Sequence, residues 1–213
     1  ETAAEVQQRG RRAVVIDTDF EIPGEARRTV KEAATALGGL DVLVVCASMQ
    51  YRTPFEQVSA PEVERQVRIN FSSTIELLQE ALPHMKAQRW GRVLTIGSIN
   101  QTTPEAELAV YAALKSAQHN LAINLARQYA PFGVTVNNLS PGLIATERNR
   151  WRRADSAEWE KIQRSVSPMG RAGEPEEIAN AALLLCSEAG SYITGADLQA
   201  TGGGHLSGAR PKA

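Results

Sequence analysis

The 213-residue chain predicts an α/β fold: a three-layer, doubly wound parallel sheet with helices on both faces. Three observations carry this. Short β-branched runs alternate with amphipathic stretches from one end to the other. Residues 41–45 (D-V-L-V-V) are apolar after the first position, as strands buried on both faces of a parallel sheet tend to be. Gly or Pro stands at the joins, at Gly10, Gly38-Gly39, Pro61 and Pro141-Gly142. Strands joined through helices run parallel with right-handed crossovers, and such sheets bind ligands at the carboxyl ends of their strands.

In chain order, residues 3–9 read as a helix stopped by Gly10, and 13–17 (A-V-V-I-D) as a short strand. Residues 24–37 form an amphipathic helix with Val30, Ala33, Ala34 and Leu37 on one side, ended by Gly38-Gly39. The strand at 41–45 follows. Ala60-Pro61 signals the start of a long helix over 61–86. Next come a strand at 92–96, a helix over 107–129, and a strand at 134–139 closed by Ser140-Pro141-Gly142. Residues 143–170 carry no sheet pattern and include the basic, Trp-containing run 148–153. A helix over 174–186 and a last strand at 197–201 precede three glycines, and the tail from 207 to 213 reads as frayed. With no repeat, linker or low-complexity segment, one domain spans 1–213.

Composition bounds the function. The chain is 43% hydrophobic and 22% charged with a net charge of −1, so neither nucleic acid nor a membrane surface is a general partner. No apolar run reaches the roughly 18 residues of a spanning helix. Cys46 and Cys186 make no disulfide framework and, with three scattered histidines, no metal cluster; a reducing cytoplasm is the expected compartment. Cys46, lacking a His or Lys neighbour in sequence, reads as a buried structural thiol. The chain opens on Glu1 already in helical pattern, so a leader before it would go unseen.

The chemistry concentrates between Ser98 and Lys115. Ser98 ends the apolar run 93–96, and Tyr111 and Lys115 follow four residues apart in a helical stretch. Positions four apart share a helix face, which brings the ammonium beside the phenol, and a positive charge favours an ionised phenol. A Tyr-x-x-x-Lys pair alone is common in helices. Here Ser98 and Pro141-Gly142 both lie just past strand ends, so two unusual stretches converge on one edge of the sheet.

Over essentially its whole length the chain resembles the short-chain dehydrogenase/reductase family. Tyr111-Ala-Ala-Leu-Lys115 fits its Y-x-x-x-K, and Ser98 has the spacing of its catalytic serine. Asn70 in R-I-N-F matches its helix asparagine, Asn138-Leu-Ser-Pro141-Gly142 its N-x-x-P-G stretch, with Thr146 at the usual offset. Asp19 matches an Asp that contacts the adenine side of the cofactor. The resemblance implies a Rossmann-type fold with strand order 3-2-1-4-5-6-7, in which residues 13–17 are the third strand and 41–45 the fourth. The T-G-x-x-x-G-x-G turn is not in the sequence. It therefore implies a first βαβ unit, on the order of 30 residues, preceding Glu1. Without that unit the strand at 13–17 has no neighbour, and dinucleotide binding should be poor. Val45-Cys46-Ala47-Ser48 stands where the family has N-N-A-G, putting a side chain at 48 where the backbone approaches the cofactor.

As to function, the resemblance implies an NAD- or NADP-dependent oxidoreductase interconverting a secondary alcohol and a ketone, such as a sugar, sugar acid, polyol or 3-oxoacyl compound. Tyr111 would move the proton, Lys115 would support it and hold the nicotinamide ribose, and Ser98 would bind the substrate oxygen. Asn70 would kink its helix around a relay water. Ala47, with Pro141, Gly142, Ile144 and Thr146 around the carboxamide, would complete the cofactor contacts. Residues 143–170 would form a substrate lid, whose Arg148, Arg150, Arg152, Arg153 and Trp151 suit an anionic substrate, a solvated face or an oligomer contact. A homodimer or homotetramer is the expected assembly. The rival reading is a non-catalytic relative that binds a nucleotide or a protein partner on the same fold.

Overall fold

The computed structural model describes residues 2–206. The tail expected to fray, 207–213, lies outside them. Seven helices and four strands follow one another: α1 (Thr2–Gln8), α2 (Glu25–Leu37), β1 (Val42–Val45), α3 (Ala60–Val67), α4 (Ser73–Gln88), β2 (Gly91–Ile96), α5 (Ala109–Tyr129), β3 (Val134–Pro141), α6 (Ser156–Val166), α7 (Pro175–Cys186) and β4 (Asp197–Ala200). The strands form one parallel sheet in the order β1-β2-β3-β4, the last four places of the expected order. Val42 pairs with Arg92, Val93 with Val136, and Leu139 with Leu198.

Strand alternation divides the core in two. On one face Val45, Val93, Val134 and Val136 meet Ala26 and Val30 of α2, Leu78, Ala81 and Met85 of α4, and Ala122 and Ala126 of α5. On the other, Leu94 and Leu139 meet Leu185 of α7, with Ile178 and Leu198 packed alongside. Fully burying the valine, leucine and methionine side chains among these contributes roughly 1.5–3 kcal/mol each. Two apolar faces on a central sheet make the three layers.

Three local features shape the helices that border the site. Ser59 caps α3 through a capping box with Glu62, each satisfying the other's backbone N–H. The long helix expected over 61–86 carries a π turn at Arg68–Ser72, centred on Asn70; one extra residue in a turn offsets the helical face at that point. Helix α5 begins at 109 rather than 107 because Glu107 takes φ 68°, a left-handed conformation that breaks the entry.

Two strand expectations are corrected. Residues 13–17 are not a strand: the segment runs irregularly, with Val15 77% exposed. It is tied to α2 instead, where Arg12 Nη2 donates to the Leu37 carbonyl at 2.6 Å and Arg28 Nη2 to the Asp17 carbonyl at 3.0 Å. A strand is held by its ladder, and among the described residues this segment has no ladder partner. Nor is β1 buried on both faces. Val45 is buried, but Val42 and Val44 are 38% and 45% exposed. Val44 lies in register beside Leu94, on the face where α7 packs mainly over β2, β3 and β4.

The carboxyl end of the sheet holds a buried polar network. Asp197 Oδ1 accepts from Asn138 Nδ2 (2.8 Å) and Ser140 Oγ (2.6 Å), while Oδ2 accepts from Gln101 Nε2 (2.7 Å) and Gln199 Nε2. Thr95 Oγ1 donates to Asn138 Oδ1 at 2.7 Å. The network leaves no room at Gly97, where a Cβ would come within 2.7 Å of Gln101 Oε1 and 2.9 Å of Ser140 Oγ.

Candidate active site

The carboxyl ends of β1, β2 and β3 open into one cavity of about 810 Å³. Its wall includes Ser98, Tyr111 and Lys115 together with Pro141, Gly142, Ile144 and Thr146. Seven of the ten residues singled out by sequence thus share one space. The other three do not line it. Ala47 lies between two lining residues, Cys46 and Ser48. Asp19 is exposed in a turn where its Oδ1 accepts the Glu21 N–H at 2.9 Å. Asn70 is fully buried, with both ends of its amide on one residue: Oδ1 accepts from Met49 N–H and Nδ2 donates to the Met49 carbonyl, each at 2.8 Å. Its place is a tie between the π turn and the loop after β1.

Lys115 is the most constrained group in the cavity wall. It is 1% exposed, its Nζ donating to the Ile96 carbonyl at 2.7 Å and to Gln118 Oε1 at 2.9 Å. It also stands 5.8 Å from the centre of the Tyr111 ring. Sequence reasoning missed Gln118, although its i+3 spacing from Lys115 put it on the same helix face. Burial pushes the Lys115 ammonium down from 10.5 to about 8; the nearby Cys46 opposes this and Arg148 adds to it. Below pH 8 the folded and unfolded chains both carry the proton, and the cost of burying the charge is fully present. Between pH 8 and 10.5 the unfolded chain holds a proton that the folded chain has released, so stability rises with pH. Measured against Lys115→Met by denaturant unfolding, the wild-type chain should therefore gain about 3 kcal/mol as pH climbs through that window. A difference that stays flat with pH would remove the buried charge from the account.

Ser98 caps the short turn Ile99–Gln101: its Oγ accepts the Asn100 N–H at 3.2 Å, and its own hydroxyl proton remains available. That turn is anchored from beneath by the Gln101–Asp197 bond, which joins residues 96 apart in sequence. No local pattern announces such a pair. At the third strand end, Gly142 donates its N–H to the Ala200 carbonyl at 3.0 Å, and a Cβ there would stand 2.9 Å from Thr201 Cα, so only glycine fits beside β4. Ile144 and Thr146 continue that turn, bridged to Gly173.

Cys46 is not the buried thiol that the sequence suggested. It is exposed and lines the cavity, because β1 ends at Val45 and the next residue already faces the strand-end opening. Ser48 lies in the same wall, with its Oγ buried and unpaired among the described residues. The basic run 148–153 is split. Arg148 and Arg152 line the cavity, whereas Arg150 lies outside it with its side chain 83% exposed.

The chain that brings this phenol, buried lysine and strand-end serine together is similar to known proteins in sequence and fold. Residues 1–205 match the family described as enoyl-(acyl carrier protein) reductase. The chain belongs to the short-chain dehydrogenase/reductase family. It is 33% identical over 176 residues to 3-oxoacyl-(acyl-carrier-protein) reductase FabG of Aquifex aeolicus, an alignment covering 83% of this chain and 70% of that protein. It is 34% identical over 187 residues to glucose 1-dehydrogenase of Gluconobacter oxydans, covering 87% and 70%. The crystal structure of a 3-oxoacyl (acyl-carrier-protein) reductase from Agrobacterium tumefaciens C58 with NADP bound superposes with a TM-score of 0.89 at 41% identity. That superposition covers 93% of this chain and 79% of that one. As a short-chain dehydrogenase/reductase, the chain is an NAD(P)-dependent oxidoreductase with a Rossmann-type sheet.

The residues present fit the nicotinamide end of such a cofactor. Lys115 offers a buried amine with a donor beyond the two it uses, and the turn from Pro141 to Thr146 supplies backbone at the cavity wall. No helix of the described chain is long and apolar enough to cross a membrane.

Proposed function

We propose that this short-chain dehydrogenase/reductase interconverts a secondary alcohol and a ketone, with Tyr111 as the proton donor in reduction and acceptor in oxidation. The observation that carries this is the convergence of Tyr111, Lys115 and Ser98 on one cavity at the carboxyl edge of the sheet. When bound, the nicotinamide supplies or takes the hydride. The chain's own residues do the rest. Ser98 holds the substrate oxygen with its free hydroxyl proton, so that this oxygen lies within reach of the Tyr111 phenol. Tyr111 hands its proton to that oxygen, and the positive charge of Lys115 steadies the phenolate left behind. Lys115 turns its remaining donor to the ribose hydroxyls, while Pro141, Gly142, Ile144 and Thr146 seat the carboxamide. Ala47 and Asp19 contribute cofactor contacts away from the reacting carbon. Asn70 acts through the Met49 backbone that it grips.

Residues 143–170, with α6, serve as the substrate lid of a single domain. Two free cysteines suit a reducing cytoplasm. For a homodimer or homotetramer, the apolar surface on offer is Leu183 and Leu184 of α7 with Tyr192, rather than the faces of α4 and α5, whose large apolar residues are mostly covered.

The test is the absorbance of the reduced nicotinamide, followed with NADH and with NADPH against a panel of sugars, keto acids, polyols and 3-oxo esters. Cofactor-dependent turnover of a ketone or secondary alcohol is the expected result. Cofactor binding with no turnover of any of them would favour a non-catalytic relative.

A further inference from the structure

Beside the main cavity lies a cleft of about 450 Å³, and the two share Ser48, Gln50, Arg52, Arg148, Asn149 and Arg152 in their walls. The shared wall is rich in cations. Arg52 and Arg152 both reach one carboxylate oxygen, Glu105 Oε1, at 2.6 and 3.4 Å. Arg148 has no carboxylate partner among the described residues and is held by one bond, from its Nη2 to the Ser48 carbonyl at 2.9 Å. Glu147, the other acid in the wall, pairs outward with Arg150 at 3.6 Å. Three guanidiniums therefore face one carboxylate at the passage between the clefts. Their side chains are not freely solvated: those of Arg52 and Arg152 are only 27% and 15% exposed. Arg152 also packs against Trp151, its guanidinium carbon 5.0 Å from the ring centre. The field of Arg148 extends to the reacting centre, where it disfavours the charge on Lys115.

A planar guanidinium matches the geometry of a carboxylate, with two parallel N–H donors for two oxygens. Unpaired cations in a recess with low-dielectric walls attract an anion more strongly than they would on an open surface. We propose that Arg148, with Arg52 and Arg152 beside it, forms an anion subsite selecting substrates that bear a carboxylate away from the reacting alcohol or ketone. This rests on the oxidoreductase reading above and adds the chemical class: hydroxy acids and keto acids are taken in preference to neutral analogues. The structure divides the basic run accordingly, with Arg148 and Arg152 at the subsite and Arg150 on the outer surface.

The experiment compares keto acids with their methyl esters, which keep the same ketone and lose only the charge. The probes are 3-oxobutanoate and 5-oxohexanoate, each against its ester, with NADPH; the two lengths read how far the subsite lies from the reacting carbon. In at least one pair the wild-type chain should prefer the acid by about tenfold or more in kcat/KM, the equivalent of about 1.4 kcal/mol. Arg148→Gln should collapse that ratio through the KM of the acid, while Arg150→Gln keeps it. Equal efficiencies for acid and ester in both pairs would overturn the subsite. So would Arg148→Gln weakening NADPH binding and slowing acid and ester alike, since the cation would then serve the dinucleotide's pyrophosphate. Binding of the same compounds in the presence of NADP+, where neither is reduced, separates the two readings. Charge-selective binding lost in Arg148→Gln, without turnover, would uphold the subsite and sink ketone reduction. Binding without charge preference would sink the subsite whatever the turnover.

Discussion

Tyr111→Phe should lower turnover by about 10²- to 10⁴-fold, the usual contribution of a positioned acid or base, and leave the cofactor bound. The substitution removes one oxygen and little else. Tyr111 is 6% exposed, its ring packs in the cavity wall, and its hydroxyl has no hydrogen-bond partner among the described residues. Phenylalanine therefore keeps the packing and breaks no structural bond, so a melting temperature near that of the wild type should accompany the loss. Turnover with a competent ketone and NADPH titration by fluorescence are the two measurements. Unchanged turnover would remove Tyr111 from the chemistry, and loss of both turnover and melting temperature would mean that the phenol is structural.

Asp197→Ala should be the most destabilising single change in the carboxyl edge of the sheet, by about 3 kcal/mol, the scale of leaving several buried donors without an ionised acceptor. One side chain receives bonds from Asn138, Ser140, Gln101 and Gln199, and three of these donors are not on its own strand. For a chain of this size the loss corresponds to roughly 6–12 °C in melting temperature. Asp197→Asn retains one acceptor oxygen and should lose less. Because Gln101 belongs to the turn that Ser98 caps, the alanine variant should also raise the KM for substrate at temperatures where it remains folded. A shift of less than a degree would show that water replaces the carboxylate at no cost.

The sheet and its helices were legible because their signals are local. β-branched runs such as 92–96 and 134–139 bury both faces and cannot be mistaken for helix. Glycines at 24 and 38 bracket α2 with left-handed conformations that other residues resist. The three residues proposed for catalysis were legible as a cluster for the same reason: Tyr111 and Lys115 lie one turn apart, and Ser98 sits at the end of a visible strand. What failed was whatever depends on neighbours distant in sequence. Residues 13–17 have the composition of a strand, but a strand exists only with a partner, and the partner that the resemblance implies is not among the described residues. Cys46 looked buried by its apolar flanks, yet exposure is decided by where β1 stops relative to the opening above it. The Gln101–Asp197 bond and the grip of Asn70 on Met49 join segments 96 and 21 residues apart, and only the folded chain reveals them. The arginines were seen as a run; their division between cleft and surface depends on the turns Glu147–Asn149 and Arg152–Ala154 that carry them.

The order of the sheet, β1-β2-β3-β4, is also the order in which the ribosome releases it. Each new strand meets its neighbour already made, and the helix that covers the join lies in the segment between the two. β2 emerges to find β1, β3 finds β2 with α5 just completed, and β4 closes onto β3 after α7. Among these four strands no pairing has to be held open for one synthesised out of turn, so their shared edge advances one way as the chain lengthens. On the other side β1, with Val42 and Val44 partly exposed, has no further ladder partner among the described residues. A backbone ladder open on that side can accept a further strand, while Asp197 ties β4 to β3 on the opposite side only after the other three strands are made.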